Sequence, residues 1–289
     1  MIAPAWAAAI AAAALVVGDQ LNRRLVGWLP DDVPRPGRKA HRRPVPLAGV
    51  MLAPIVVGFA AAAACWWVCG AVAIAAGVGF VDDRKKERGG ALADGGVDWR
   101  VKAAALLCAA GLVATTAADA SADPWRWVAA FGLTFVLINA VNFLDNTDGV
   151  TASTAAALLL GLGLLALSPG ATATVTLAAG FAALGFLPFN WPYPRLFLGD
   201  SGAYTLGVCV SYATVHASSA APAWLLAAAL PLVDFTQVVL MRVALRVPPW
   251  VGDRRHLTHI AQNLGLPRAA VAPLFALGTV GCCALARAI

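Results

Sequence analysis

The chain has 289 residues, of which 60% are hydrophobic and 12% charged, with a mean hydropathy of +0.75 and a formal net charge of +6. Soluble proteins carry about 25% charged residues, so this composition excludes an ordinary water-soluble domain and points to a polytopic membrane protein. Nucleic acid is a poor partner for the positive charge, since no soluble domain or aromatic-studded basic groove is present to carry it.

A helix crossing the hydrocarbon core needs roughly 20 apolar residues, with about 17 as the lower limit. Ten runs meet that need, at approximately 2–18, 46–63, 65–81, 101–118, 124–142, 150–167, 171–189, 202–218, 221–241 and 268–287. The expected fold is therefore all-α, a single membrane-embedded domain over 1–289 with about ten transmembrane helices. The first run has no basic residue before it and Arg23 and Arg24 after it, the reverse of a secretory signal peptide. It is expected to stay attached with the N-terminus outside, and ten spans return the C-terminus to the same side.

The second and third runs are fused in sequence, too long together for one crossing, so the chain must turn near Ala61 to Trp67, where Trp66 and Trp67 suit an interfacial belt. With the N-terminus outside, the first, third, fifth, seventh and ninth loops face the cytoplasm and hold every Lys and Arg except Arg126 and Arg287. That distribution agrees with the positive-inside rule. It also concentrates positive charge where anionic lipid headgroups or a soluble anionic substrate would meet it. The six cysteines, Cys65, Cys69, Cys108, Cys209, Cys282 and Cys283, all lie in apolar runs and read as small core residues. Cys65 and Cys69 would share a helix face, but no nearby His or further Cys completes a metal site.

The inside loops carry nearly all the unusual polar clusters. Loop one contains RPGRKAHRRPVPLAG, with Lys39, His41, Arg42 and Arg43, which also reads as a plain positive-inside anchor. Loop three contains VDDRKK, with Asp82 and Asp83 side by side, and later Lys102. Loop five reads NAVNFLDNTDG, with Asn139, Asn142, Asp145 and Asp148; loop seven reads RLFLGDSGA, with Phe197 and Asp200; loop nine reads GDRRHLTHI, with Arg254, Arg255, His256 and His259. Adjacent carboxylates, amide oxygens and a further Asp are hard oxygen ligands of the kind that Mg²⁺ or Mn²⁺ shares with substrate phosphates. In GDSGA, Gly199 and Gly202 keep the backbone slim where the eighth run begins, so helix N-terminal N–H groups could face a phosphate. Arg254, Arg255, His256 and His259 could hold the remaining phosphate oxygens, and the sum resembles a diphosphate site at a membrane surface. His256 and His259 could instead bind zinc, though without two further convincing ligands substrate contact is the better reading. Asp234, within PLVDFTQ of the ninth run, is costly at that depth and reads equally as a functional group or a buried hydrogen-bonder.

Taken in order, DD at the end of the third run, NxxNFxD with a following DG, FxGDxG, and DRRHLxH before the last run resemble the polyprenyl-phosphate N-acetylhexosamine-1-phosphate transferases of glycosyltransferase family 4. The resemblance covers all five inside loops and the ten-span plan. It implies an enzyme of the bacterial plasma membrane, working in cell-envelope glycan synthesis with its active site on the cytoplasmic face. The implied reaction transfers a sugar 1-phosphate from a UDP-sugar to a polyprenyl phosphate and releases UMP. By position, it implies that Asp200 and Asn142 hold Mg²⁺, that Phe197 stacks on uracil, and that Asp145 and Asp148 hold the nucleotide. Asp82 and Asp83, with Lys102 nearby, match the acidic pair associated with the lipid phosphate. Lys39 and His41 join the substrate-binding set, and His256 and His259 match the loop that approaches sugar and phosphates. Homodimerisation is left open.

The chain also departs from the family. PVPLAGV replaces the frequent PTPRxGG, changing Val45, Leu47 and Val50; Asn146 replaces the usual Gly of DGxDG; Thr258 interrupts the run of histidines; Ala203 stands where Ser is common. These changes bear on the sugar and nucleotide preference, while the metal and phosphate residues of the motifs are retained. Three rivals fit less well. An intramembrane prenyltransferase would leave the GDSGA and HLTH loops without a task. A CDP-alcohol phosphatidyltransferase motif is broken at Ser153. A transporter or non-catalytic binder of lipid-linked sugar would need more ionisable residues along its path than Asp234 alone.

Overall fold

In the computed structural model, residues 6–25, 27–34, 43–88, 96–117, 123–248 and 254–289 are described. Among the described residues eleven α-helices run in chain order: α1 (Trp6–Leu25), α2 (Leu52–Ala62), α3 (Trp66–Arg88), α4 (Trp99–Ala114), α5 (Pro124–Phe143), α6 (Val150–Leu165), α7 (Ala171–Asn190), α8 (Gly199–Ala220), α9 (Ala229–Ala244), α10 (Leu257–Asn263) and α11 (Arg268–Ala288). A 3₁₀ turn, Gly49–Met51, leads into α2, and another, Pro222–Ala228, leads into α9. Among the described residues the only strands are the antiparallel pair Asp31–Asp32 and Val45–Pro46. The fold is thus all-α and of the polytopic membrane type.

Each expected run overlaps a helix, though not always over its full length, as α2 covers only Leu52–Ala62 of the run at 46–63. Five stretches are long and apolar enough to cross a membrane by length and composition: Trp66–Arg88, Pro124–Phe143, Ala171–Asn190, Pro222–Ala244 and Arg268–Ala288. The fused second and third runs break between Ala62 and Trp66, where Ala64 adopts a positive φ of 57°. Local signals set other ends. Asp98 accepts from Arg100 N at 2.7 Å and starts α4, while Asp123 accepts from Trp125 N at 3.0 Å ahead of Pro124 in the first turn of α5. A short acidic side chain at the N-cap and proline directly after it are the expected start of a helix.

The hub of the bundle is α8, which packs against α3, α5, α6 and α7 and is buried without a break from Ser201 to Val215. A helix covered on all sides needs small residues where neighbours come closest. At Gly207 an added Cβ would lie 2.8 Å from Ile138 Cα on α5; at Gly79 on α3 it would lie 2.5 Å from Ser201 Cα and N. The second contact presses the polar end of α3 directly against the first turn of α8. It brings a carboxylate-bearing helix end onto a carboxylate-bearing helix start, and so builds the candidate site.

Candidate active site

Four helix ends, those of α3, α4, α5 and α8, converge at the α3–α8 contact. Asp82, fully buried, pairs with Lys86 Nζ at 2.7 Å and Lys102 Nζ at 3.3 Å and accepts from Val97 N at 2.6 Å. Asp200, whose side chain is 18% exposed, meets the same two lysines at 3.0 and 3.8 Å. Asn142, at the end of α5, places its Nδ2 3.4 Å from Asp200 Oδ1. Lys86 therefore bridges two carboxylates that sequence separation keeps far apart, and Lys102 supports it from α4.

Asp83 does something different. Its two oxygens accept from the backbone N–H of Asp200 at 3.1 Å and of Ser201 at 3.2 Å. The N–H groups read in the sequence as phosphate donors thus carry an internal carboxylate, which satisfies the orphan donors of the helix start and opposes its positive dipole end. Gly199 just before it has φ +67°, a conformation costly for any residue with a Cβ, and a Cβ there would also meet Asp83 Oδ2 at 2.8 Å.

Asp145 lies in the turn between α5 and α6. Burial, then the negative charges of Asp200 and Asp83, push its carboxyl up to about 8, and the nearby Thr151 hydroxyl works the other way. Asp148 in the same turn is engaged elsewhere, in a bidentate pair with Arg268 of α11 at 2.8 and 2.9 Å. Phe197 is held by backbone bonds on both sides, donating to Pro46 O and accepting from Ala48 N, each at 2.9 Å. Residues after loop one are thereby laid beside the start of α8. Lys39 and His41 themselves fall outside the described residues.

The histidine segment forms a second cluster behind Asn142. Buried Asp234 accepts from His256 Nδ1 at 2.8 Å and from Leu257 N at 2.6 Å, fixing the ring and starting α10 together. His256 meets the edge of Phe143, the residue after Asn142, with centroids 5.8 Å apart. The proton affinity of His259 is lowered first by burial and then by its neighbours Arg254, His256 and Arg268, and the two arginines make this flank cationic. Arg254 is exposed and Arg255 half-buried.

Two side chains that sequence reading did not single out belong here. Lys86 was one of three basic residues after the acidic pair, and only its position four residues from Asp82 marked it. Arg242 is 2% exposed and stacks over Phe143 at 4.9 Å from the ring centroid. Its spacing of eight from Asp234 put it on the same buried face of α9, a signal present in the sequence.

Asp82, Asp200 and Asn142 bring two carboxylates and an amide together, the amide placed with its Nδ2 toward Asp200 Oδ1. Among the described residues no three His, Cys, Asp or Glu groups are placed to enclose a metal by themselves. A set of one or two carboxylates with an amide suits a cation that completes its shell with water and substrate phosphate, as Mg²⁺ does. The donor chemistry therefore fits such an ion.

Residues 65–218 match the family model described as glycosyl transferase family 4, just over half of the chain. The chain is similar to a phospho-N-acetylmuramoyl-pentapeptide-transferase of Thermosynechococcus vestitus, 34% identical over 37% of this chain and 31% of that one. It is similar to a decaprenyl-phosphate N-acetylglucosaminephosphotransferase of Mycobacterium tuberculosis, 28% identical over 68% of this chain and 56% of that one. A probable undecaprenyl-phosphate N-acetylglucosaminyl 1-phosphate transferase of Bacillus subtilis is 28% identical over 50% of this chain and 43% of its own length. The matches span between about a third and just over half of these relatives' lengths.

Proposed function

Because the chain belongs to glycosyl transferase family 4, we propose that it transfers a sugar 1-phosphate, an N-acetylhexosamine 1-phosphate, from a UDP-sugar to a polyprenyl phosphate, giving polyprenyl-diphosphate-sugar and UMP. The observation that carries this reading is the convergence of Asp82, Asp200 and Asn142 with Lys86 and Lys102, from the ends of four helices, at one end of the bundle. The transferase activities for which these relatives are named support the same reaction class.

In the reaction an oxygen of the lipid phosphate attacks the β-phosphorus of the donor. The bond from that phosphorus to the bridging oxygen breaks, and its electron pair leaves with UMP. Charge accumulates on phosphate oxygens, so catalysis is mostly positioning and electrostatic stabilisation. Lys86 and Lys102 would release part of their hold on Asp82 and Asp200 to bind those oxygens. Asp200 and Asn142 would hold Mg²⁺ or Mn²⁺, whose charge neutralises the diphosphate. Asp82 is the base for an acceptor that arrives monoprotonated; a phosphate monoester has a second pKa of about 6, so above neutrality this task shrinks. Asp83 acts through Asp200 by holding the first turn of α8. Asp234 fixes the tautomer and orientation of His256, leaving the other ring nitrogen for substrate.

The positive-inside asymmetry supports ten crossings with both termini outside and the active site on the cytoplasmic face of the plasma membrane. The test is UMP release by purified protein supplied with UDP-N-acetylglucosamine, a polyprenyl phosphate and Mg²⁺. Release that needs all three components is expected. A screen of UDP-sugars that yields no acceptor-dependent UMP would overturn the proposal.

A further inference from the structure

Helix α10 has seven residues, whereas isolated helices are marginal below roughly 12–15 residues. Its position is therefore set by what it touches. Asp234 tethers its first turn through His256 and Leu257 N. Leu257 and Leu266 pack beside Leu144, Val150 and Phe275. The remaining tether is a polar network to the turn between α5 and α6.

Thr258, fully buried, donates its hydroxyl to Asn146 Oδ1, and Thr147 Oγ1 donates to the same oxygen at 3.0 Å. Asn146 is itself fixed, because its Nδ2 donates to Phe143 O at 2.6 Å. One turn along α10, Gln262 Nε2 donates to Thr147 Oγ1 at 3.3 Å and to Thr258 O at 3.1 Å. Four side chains from two segments more than a hundred residues apart thus satisfy one another. Networks of this kind hold a unique arrangement when every member is paired. Asp145 immediately precedes Asn146, and His259 immediately follows Thr258. Whatever fixes the two central residues fixes the spacing between the nucleotide-side carboxylate and the flank where the neutral donor His259 sits beside the cations Arg254 and Arg268.

We propose that Asn146 and Thr258 form a latch that seats α10 against the α5–α6 turn and makes both of them positioning residues for the nucleotide-sugar rather than for the lipid acceptor. This rests on the donor assignment made above. The ligand class it selects is a nucleoside diphosphate sugar, whose phosphates need the cationic flank at a fixed distance from the base-and-ribose side of the site.

The decisive variants are Thr258→Val, which removes the hydroxyl and keeps the shape, and Thr258→Ser, which keeps the hydroxyl. Asn146→Ala attacks the same bond from the other side if Thr258→Val does not accumulate. Hydrogen exchange of residues 257–263 reads the latch without any turnover. Losing a net hydrogen bond corresponds to roughly a 2- to 10-fold change in the local opening equilibrium. Thr258→Val and Asn146→Ala are expected to accelerate exchange in that segment by this factor and to raise KM for UDP-sugar similarly, with KM for polyprenyl phosphate unchanged. Thr258→Ser should match wild type in both respects. Unchanged exchange, or equal rises in both KM values, overturns the latch. Wild-type protein that turns over no nucleotide-sugar would defeat the donor assignment instead, while the exchange ratio still decides whether the latch exists.

Discussion

Replacing Asp83 by Asn separates a base from a helix anchor, two roles that adjacent carboxylates invite. Asp83 is 2% exposed, and its oxygens receive the N–H groups of Asp200 and Ser201 at 3.1 and 3.2 Å. Alanine would strand two buried donors, at about 1–3 kcal/mol each, partly overlapping the ~0.5–2 kcal/mol ordinarily lost with an N-cap. A total of roughly 2–4 kcal/mol is expected. Asparagine keeps the volume and one acceptor but turns an NH₂ toward the second N–H and removes the charge facing the dipole, so about 1–2 kcal/mol is expected. Because the first turn of α8 carries Asp200, either change also shifts Asp200 relative to Lys86 and Asn142. Thermal unfolding of purified protein should show Asp83→Asn below wild type and Asp83→Ala lower still. Turnover of Asp83→Asn should fall equally at pH 6 and pH 8.5, since no proton is moved. Asp82→Asn, by contrast, should lose more at pH 6, where the lipid phosphate still carries a proton. Wild-type stability and turnover in Asp83→Asn, or a loss confined to low pH, would refute the anchor role.

Gly79→Ala should lower stability by about 1–3 kcal/mol and depress turnover, because the new Cβ would lie 2.5 Å from Ser201 backbone atoms; Gly77→Ala, with nothing within 4 Å, should leave both unchanged in the same unfolding and turnover assays. For Asp145 the sign follows from its carboxyl being pushed up to about 8 in the fold from an unfolded value of 3.8. The native state binds the extra proton between those values, so in metal-free buffer this contribution to stability is fully present near pH 4 and is lost as pH rises toward 8. Asp145→Asn should flatten that decline in unfolding scans from pH 5 to 8.5, and a slope equal to wild type would contradict the assignment. Reporter fusions after Arg88 and Arg255 should be cytoplasmic and one near Ser219 external; finding Arg88 and Arg255 on opposite faces would dismantle the shared site.

Helix positions were legible because burial in lipid demands long apolar runs, and the break at Ala62 to Trp66 was legible because a fused run exceeded one crossing. The motif residues Asp82, Lys102, Asn142 and Asp200 do meet. What the sequence hid were pairings across large separations. GDSG announced a helix start but not that Asp83, over a hundred residues earlier, would occupy its N–H groups. Asp148 looked equivalent to Asp145, yet a distant Arg268 claims it. Asp234, readable in the sequence as functional or as a buried hydrogen-bonder, accepts from His256 and Leu257 N, partners that its own helix did not announce. Helix α10 was invisible because seven residues in a polar loop carry no periodic signal, and tertiary tethers, not propensity, hold them. Asn146 and Thr258 read as two unrelated departures from a family pattern, and in the fold they bond to each other.

The most direct measurement supplies purified protein in lipid nanodiscs with UDP-N-acetylglucosamine labelled in the sugar and its attached phosphate, together with a polyprenyl phosphate and Mg²⁺, and follows label into the lipid fraction. The account predicts a labelled polyprenyl-diphosphate-sugar formed one for one with UMP, and none from Asp200→Asn, which keeps the fold but loses the charge on which the site converges. Label transfer by Asp200→Asn at the wild-type rate would contradict it.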